Sequence, residues 1–179
     1  MRAKDFRGDI KRPKVRDLAS HFDRFAGPYL AEMGFRLTND PGEVRGPYRA
    51  TLAIYASPKG LFLAAGFAPM DGSYAAISAG RQWIVRGEWY GLSNSYCNLA
   101  KRFGLTVPEY YPMEGGEKFR NTLSAMLEDL KATLPIVLAR VSLQDLLEVE
   151  AAKYGAQFRA MRAIGANAMD DVEVSTFTE

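Results

Sequence analysis

Residues that bind zinc or form disulfides are almost missing from this sequence. Its 179 residues include one cysteine, Cys97, and one histidine, His21. A single cysteine cannot form a disulfide within the chain, and the usual sets of three or four zinc ligands cannot be assembled. A Ser–His–Asp or Cys–His catalytic set would have to use His21, for which an exposed helix pair with Asp17 is the simpler explanation. We therefore predict no catalytic residue, no metal and no cofactor, and we interpret Cys97 as a small buried side chain.

Long apolar runs and enzyme motifs are missing as well. No run approaches the roughly 18 residues that cross a bilayer, and the basic start of the sequence is not followed by the apolar stretch of a secretory signal. With the scarcity of cysteine, this predicts a cytoplasmic protein without a membrane partner. The patterns HExxH, CxxC and GxGxxG are absent, and residues 115–118 lack the glycine spacing of a phosphate-binding loop. A metal-dependent or nicotinamide-dependent enzyme is thereby disfavoured.

The net charge of +2 conceals an uneven distribution along the chain. Residues 1–16 hold seven basic and two acidic side chains, whereas residues 167–179 hold four acidic side chains and no basic one. We predict a basic N-terminal arm over residues 1–13, a single domain over 14–166 and an acidic tail over 167–179. A basic arm can bind phosphates by releasing counterions, but a short solvated arm explains this cluster more simply, so nucleic acid is not the expected partner.

The first half of the domain is predicted to hold one helix and then strands. Apolar spacing indicates a helix over 14–33 with a kink or break at Gly27-Pro28. The predicted strands cover residues 35–38, 48–55, 61–67, 74–78 and 82–86. In 48–55 the even positions are apolar and Thr51 lies on the other face, which indicates a strand with its even face buried. The strand over 61–67 is apolar on both faces, as a central strand would be. Short connections predict antiparallel neighbours.

The second half is predicted to be helical. Ser93 or Asn94 would cap a short helix, a longer one covers 117–134 and is interrupted by Pro135, and a last helix starts from a capping box of Ser142 and Asp145 and ends near Gly165. Because strands and helices are segregated along the chain, we predict an α+β fold. It has an N-terminal helix, an antiparallel sheet of about four to five strands, and C-terminal helices packed on one face.

One segment has the composition of a binding surface. Residues 81–91 contain both tryptophans, two arginines and a tyrosine, the side-chain types most enriched at binding hot spots. Trp83 would share a strand face with Val85 and enter the core, and the alternative to a binding surface is that Trp83 anchors the core and the tyrosines only cover its edge. The candidate partner-binding residues are Arg81, Arg86, Glu88, Trp89, Tyr90, Tyr110 and Tyr111.

Four features between residues 14 and 150 carry a resemblance to a known group. They are a first helix that ends in Leu30-Ala-Glu-Met-Gly-Phe-Arg, the successive strands 48–55 and 61–67, a late helix that finishes at Leu134-Pro135, and a final helix that starts with Ser142-Leu-Gln-Asp-Leu-Leu. This layout resembles the small α+β immunity-type domains that bacteria encode beside toxins. The resemblance implies a non-enzymatic protein that neutralises a cognate toxin by direct binding, and it transfers no catalytic residue.

Two other functions stay open at this point. One is a small-molecule-binding protein or an enzyme with a cleft between the sheet and the helices, using Arg81, Arg86, Glu88 or Tyr90 as polar groups. The other, ranked third, is a nucleic-acid-binding accessory protein that uses the basic arm. If the partner is a toxin, the near-neutral middle of the chain argues against a basic nuclease, whose inhibitors are usually acidic. The sequence leaves the oligomeric state open.

Overall fold

The computed structural model describes residues 14–45, 49–57, 60–68, 74–85, 88–113, 117–142, 144–146 and 148–149; in residues 45, 68, 82–85, 88–93, 117 and 118 it describes the backbone alone. A short 3-10 turn (Val15–Asp17) precedes the first helix. The elements are α1 (Leu18–Glu32), β1 (Arg36–Leu37), β2 (Val44–Arg45), β3 (Ala50–Ala56), β4 (Leu61–Ala68), β5 (Tyr74–Val85), β6 (Glu88–Ser95), α2 (Tyr96–Arg102), β7 (Tyr111–Pro112) and α3 (Glu117–Arg140). Residues 144–146 and 148–149 are also helical.

The strands form one antiparallel sheet. Its main path runs β1-β3-β4-β5-β6, while β2 also pairs with β3 and β7 also pairs with β5. Strands β3 to β6 follow each other both along the chain and across the sheet, so short connections suffice. Contacts of α1 with β3 and β4, of α2 with β5, and of α1 and α2 with α3 place the helices in one layer. The predicted α+β fold is confirmed.

The core lies between the helices and the face of the sheet that carries the odd-numbered residues. Thr51, Ala53 and Tyr55 of β3 are buried, as are the odd positions of β4 and of the first part of β5. The even face predicted for β3 is therefore wrong. Tyr55 accounts for the burial of the odd face of β3, because its hydroxyl donates to Asp23 Oδ1 of α1 at 2.9 Å and its ring packs edge-on to Phe22.

Two glycines end helices in the same way. Gly34 (φ 87°) follows α1, where the amide of Phe35 donates to the carbonyl of Leu30 at 2.9 Å. Gly104 (φ 76°) follows α2, where the amide of Leu105 donates to the carbonyl of Ala100 at 3.1 Å. Positive φ costs a glycine little, so both residues favour this turn and direct the chain out of the helix.

Several elements differ from the sequence prediction, and in the helices and β5 non-local packing or pairing outweighs a local signal. Helix α1 continues through Gly27-Pro28, and α3 continues through Pro135 with Leu134 and Val137 fully buried around it. The strands predicted over 74–78 and 82–86 are one strand, β5, because it is paired along its whole length. Strand β6 was not predicted, and Ser93 and Asn94 lie in it rather than capping α2, for which Ser95 is the N-cap.

The predicted capping box is confirmed. The amide of Ser142 donates to Asp145 Oδ2 at 2.9 Å, and the amide of Asp145 donates to Ser142 Oγ at 3.2 Å. Asp145 also accepts a hydrogen bond from Arg102 Nε at 2.6 Å, and the guanidinium of Arg102 forms a second ion pair with Glu148. These contacts attach the start of the last helical segment to the end of α2.

This junction predicts a pH dependence of stability. Burial disfavours the charged form of Asp145, but the hydrogen bonds from Ser142 and Arg102 outweigh it and lower the pKa below its usual value of 3.8. The contribution of the ionised Asp145 carboxylate to the free energy of unfolding is therefore complete above about pH 4. This contribution is lost as the pH falls through the folded-state pKa of Asp145. We expect Asp145→Asn to have a lower urea midpoint at neutral pH and a shallower loss of stability on acidification than the wild type.

The matched control is Glu128→Gln, which removes an exposed helix pair with Lys131 and should change neither quantity measurably. Urea unfolding of the three proteins at several pH values makes the comparison. A wild-type slope that Asp145→Asn retains in full would show that the junction does not contribute to the pH dependence.

Candidate functional site

The sheet extends at one end into a two-stranded projection. Strand β4 pairs with β5 only from Leu61↔Arg81 to Ala68↔Tyr74, whereas β6 pairs with β5 from Ser78↔Ser95 to Val85↔Glu88. Residues 82–85 therefore lie beyond the end of β4, and within the described residues they pair only with residues 88–91. We call these four residue pairs the hairpin arm. At about 3.3 Å per residue, the arm extends roughly 13 Å past β4.

The hairpin arm brings together most of the residues singled out in the sequence. Tyr90 is the cross-strand partner of Trp83, Trp89 that of Ile84, and Glu88 that of Val85. Arg81 lies at the base of the arm, where it pairs with both Leu61 and Leu92, and its side chain is partly exposed. Arg86 lies outside the described residues. The structure describes only the backbone of Trp83, Trp89 and Tyr90. The core position expected for Trp83 and the exposure expected for the other two therefore stay predictions.

Tyr110 and Tyr111 do not belong to this group. Strand β7 pairs with Tyr74 and Ala75, which lie seven and six residues before Arg81 in β5, or roughly 20–24 Å in an extended strand. Tyr110 is 56% exposed, and its ring packs edge-on to Tyr74 with 5.0 Å between the centroids. The seven predicted residues therefore do not form a single site.

Tyr111, predicted as a partner contact, lies in the core of the described structure and not on its surface. It is 2% exposed, and its hydroxyl donates to Asp129 Oδ2 of α3 at 2.8 Å. Burial, followed by the hydrogen bond to this carboxylate, raises the pKa of Tyr111 well above its usual value. The phenol therefore stays neutral and acts as a donor that joins β7 to α3.

A second buried tyrosine joins α2 to α3. The hydroxyl of Tyr96 lies 2.9 Å from Thr133 Oγ1, which donates in turn to the carbonyl of Asp129 at 2.6 Å. Burial raises the pKa of Tyr96 to about 12. Tyr96 directly follows β6, so this contact holds the end of β6 against the helical layer. The base of the hairpin is thus anchored by buried packing.

The two residues considered for nucleophilic chemistry, Cys97 and His21, are buried and half-buried in helices. Cys97 is buried in α2, as expected. His21 is half-buried with its ring 6.1 Å from that of Phe119, so it is less exposed to solvent than expected. Burial lowers the pKa of His21, Arg24 lowers it further and Asp17 opposes both. Within the part of the chain that the structure describes, no three His, Cys, Asp or Glu side chains are grouped to hold a metal ion.

Strand β6 is the part of the site that the sequence prediction missed. The connection between β5 and β6 is two residues long, 86–87, and Gly87 is its second residue. Two-residue connections containing glycine are typical of β-hairpins, so this signal was available in the sequence.

The described helices include none that is long and apolar enough to span a bilayer.

No family model, no curated protein and no solved structure matches this chain. Its class is therefore defined by its own fold and site. It is an α+β protein in which strands β5 and β6 continue past the end of β4 as an aromatic-rich two-stranded arm.

Proposed function

We propose that this protein is a non-enzymatic binding protein that recognises a protein partner through the hairpin arm, and that the partner is a toxin which it neutralises. The observation that carries the proposal is the register of β5. Four of its residues continue beyond β4 together with β6, and this continuation holds Trp83, Trp89 and Tyr90. Large aromatic side chains on a strand pair that projects from the sheet are suited to burial by a partner.

The strand pairing supports a binding role for the hairpin arm. Within the described residues, 82–85 pair only with 88–91, so the arm has no third strand beside it. An isolated two-stranded ribbon is only marginally stable in water, so an arm of this composition gains stability when a partner covers it.

The toxin as partner rests on the sequence. The resemblance to immunity-type domains spans residues 14–150, and the chain has no HExxH, CxxC or GxGxxG pattern. Direct binding that blocks a toxin's active site requires a complementary surface and no catalytic group. The near-neutral middle of the chain favours a toxin that is not strongly basic.

The test is binding to the product of the neighbouring gene, because immunity proteins are encoded beside their toxins. We expect Trp89→Ala and Tyr90→Ala each to weaken the affinity by about 2 kcal/mol, roughly thirtyfold, with little change in melting temperature. Calorimetric titration gives the affinity and thermal unfolding gives the stability. Co-expression should relieve the toxicity of the partner with the wild type and fail to do so with the double variant.

Tyr110→Ala is the matched control, since it truncates an exposed tyrosine at the other end of β5 and should leave the affinity unchanged. If both arm variants bind like the wild type, or if every loss of affinity follows a loss of folding, the arm is not the binding site. If the partner binds but is not toxic, the binding role stands and the toxin assignment fails.

A further inference from the structure

The outer edge of β6 lacks the features that usually protect an edge strand. Within the described residues β5 is its only strand partner, and the eight pairs from Ser78↔Ser95 to Val85↔Glu88 follow one another without a bulge. The sequence of β6 contains no lysine and no proline, and its one charge is Glu88 at the start. Edge strands are normally protected by charges, proline, bulges or shortness, because their unpaired main-chain groups otherwise pair with another strand.

The opposite edge of the same sheet is protected. Strands β1 and β2 are two residues long. Between them the side chain of Asn39 pairs with β3, donating to the carbonyl of Leu52 at 2.9 Å and accepting from the amide of Ile54 at 2.8 Å. The side-chain amide thus takes the place of a strand on the edge of β3. One edge of the sheet is closed in this way, while β6 presents eight regular residues.

The hairpin arm also lacks a third strand on either side within the described residues. Residues 82–85 extend past β4, and residues 88–91 form the edge. Three strands are the smallest sheet with independent stability. A strand added to β6 would therefore give the arm a third strand and form hydrogen bonds with the unpaired main-chain groups at its edge.

We infer that β6 pairs antiparallel with β6 of a second copy of this chain, about a two-fold axis near Gly91, so that two sheets become one. A strand can pair with itself in this way because a two-fold interface uses the same surface on both copies. The antiparallel arrangement sets Glu88 against the uncharged end of the other strand, whereas parallel pairing in register would set the two Glu88 side chains side by side. It also places each arm beside residues of β6 that belong to the main sheet of the other copy.

This dimer goes beyond the proposed function and is compatible with it. Strand addition uses the main-chain groups at the edge of β6 and leaves both faces of the hairpin arm open to a partner. The dimer is tested with the full chain alone, so its failure leaves the partner proposal untouched.

The experiment compares wild type, Gly91→Lys and Gly91→Glu by sedimentation equilibrium and native mass spectrometry over a wide concentration range. We expect the wild type to be a dimer, and each variant to be a monomer because like charges meet across the axis. A mixture of the two variants should restore a heterodimer, since the charges are then opposite. Loss of folding alone cannot produce this rescue.

Hydrogen exchange of the wild type provides a second measurement if the variants do not fold. In an antiparallel strand, successive amides point to opposite edges, so alternate amides over residues 88–92 face away from β5. We expect these amides to become protected as the protein concentration rises. A wild type that stays monomeric, variants that dimerise like the wild type, or a mixture that forms no heterodimer would each overturn the inference.

Discussion

Replacing Phe67 with alanine is expected to lower the free energy of unfolding by about 3–5 kcal/mol. Phe67 is 0% exposed on the core face of β4. Its ring centroid lies 5.8 Å from that of Phe22 on α1 and 6.3 Å from that of Phe119 on α3. The truncation therefore removes contacts to both helices at once and leaves a cavity where three elements meet.

Urea unfolding measures this loss, and Leu52→Ala is the control. Leu52 lies on the other face of the sheet, where its side chain is half-buried beside Gly66. Its truncation should cost much less, because less apolar surface is exposed again and solvent can fill the space. Equal losses for the two variants would contradict a core confined to the helical face.

Replacing Pro135 with alanine is expected to have the opposite sign and to raise the free energy of unfolding by about 2 kcal/mol. Proline inside a helix removes one amide donor and costs about 3 kcal/mol, while its restriction of the unfolded chain returns up to about 1 kcal/mol. Helix α3 is continuous around Pro135, and the proline itself is exposed, so its ring is not part of the core. Alanine restores the donor to the carbonyl of Lys131.

Pro108→Ala is the control for the unfolded-state effect, because Pro108 is exposed and lies outside any helix or strand. This variant should be slightly less stable than the wild type. If Pro135→Ala were destabilised as well, the packing of Leu134 and Val137 would depend on the local geometry that proline imposes on α3.

Local signals in the sequence predicted the elements whose structure depends mainly on the spacing and type of their own residues. The spacing of Leu18, Phe22 and Phe25 indicated α1, and Ser142 with Asp145 indicated the capping box. The buried face of β3 could not be predicted in this way. Leu52 and Ile54 are as apolar as Ala53 and Tyr55, and the position of α1 decides between the two faces.

The candidate site was predicted in part for the same reason. Composition identified Arg81, Glu88, Trp89 and Tyr90, which β5 and β6 bring together through neighbouring backbone positions. Tyr111 has the same composition signal, yet β7 places it at the other end of β5 and its hydroxyl pairs with α3. Distance along β5 and burial against a helix are properties of the tertiary fold, which residue type alone does not determine.

The contact between α1 and α3 has a consequence for synthesis on the ribosome. The hydroxyl of Tyr29 donates to the carbonyl of Leu130, 101 residues further along the chain, at 3.4 Å. At about 5–20 residues per second, α1 is made roughly 5–20 s before the helix that completes its layer. Neighbouring strands of the β3–β6 meander become available one after another during that interval, and closing their short loops costs little entropy. The nascent sheet can therefore cover the apolar side of α1 while α3 is still being made.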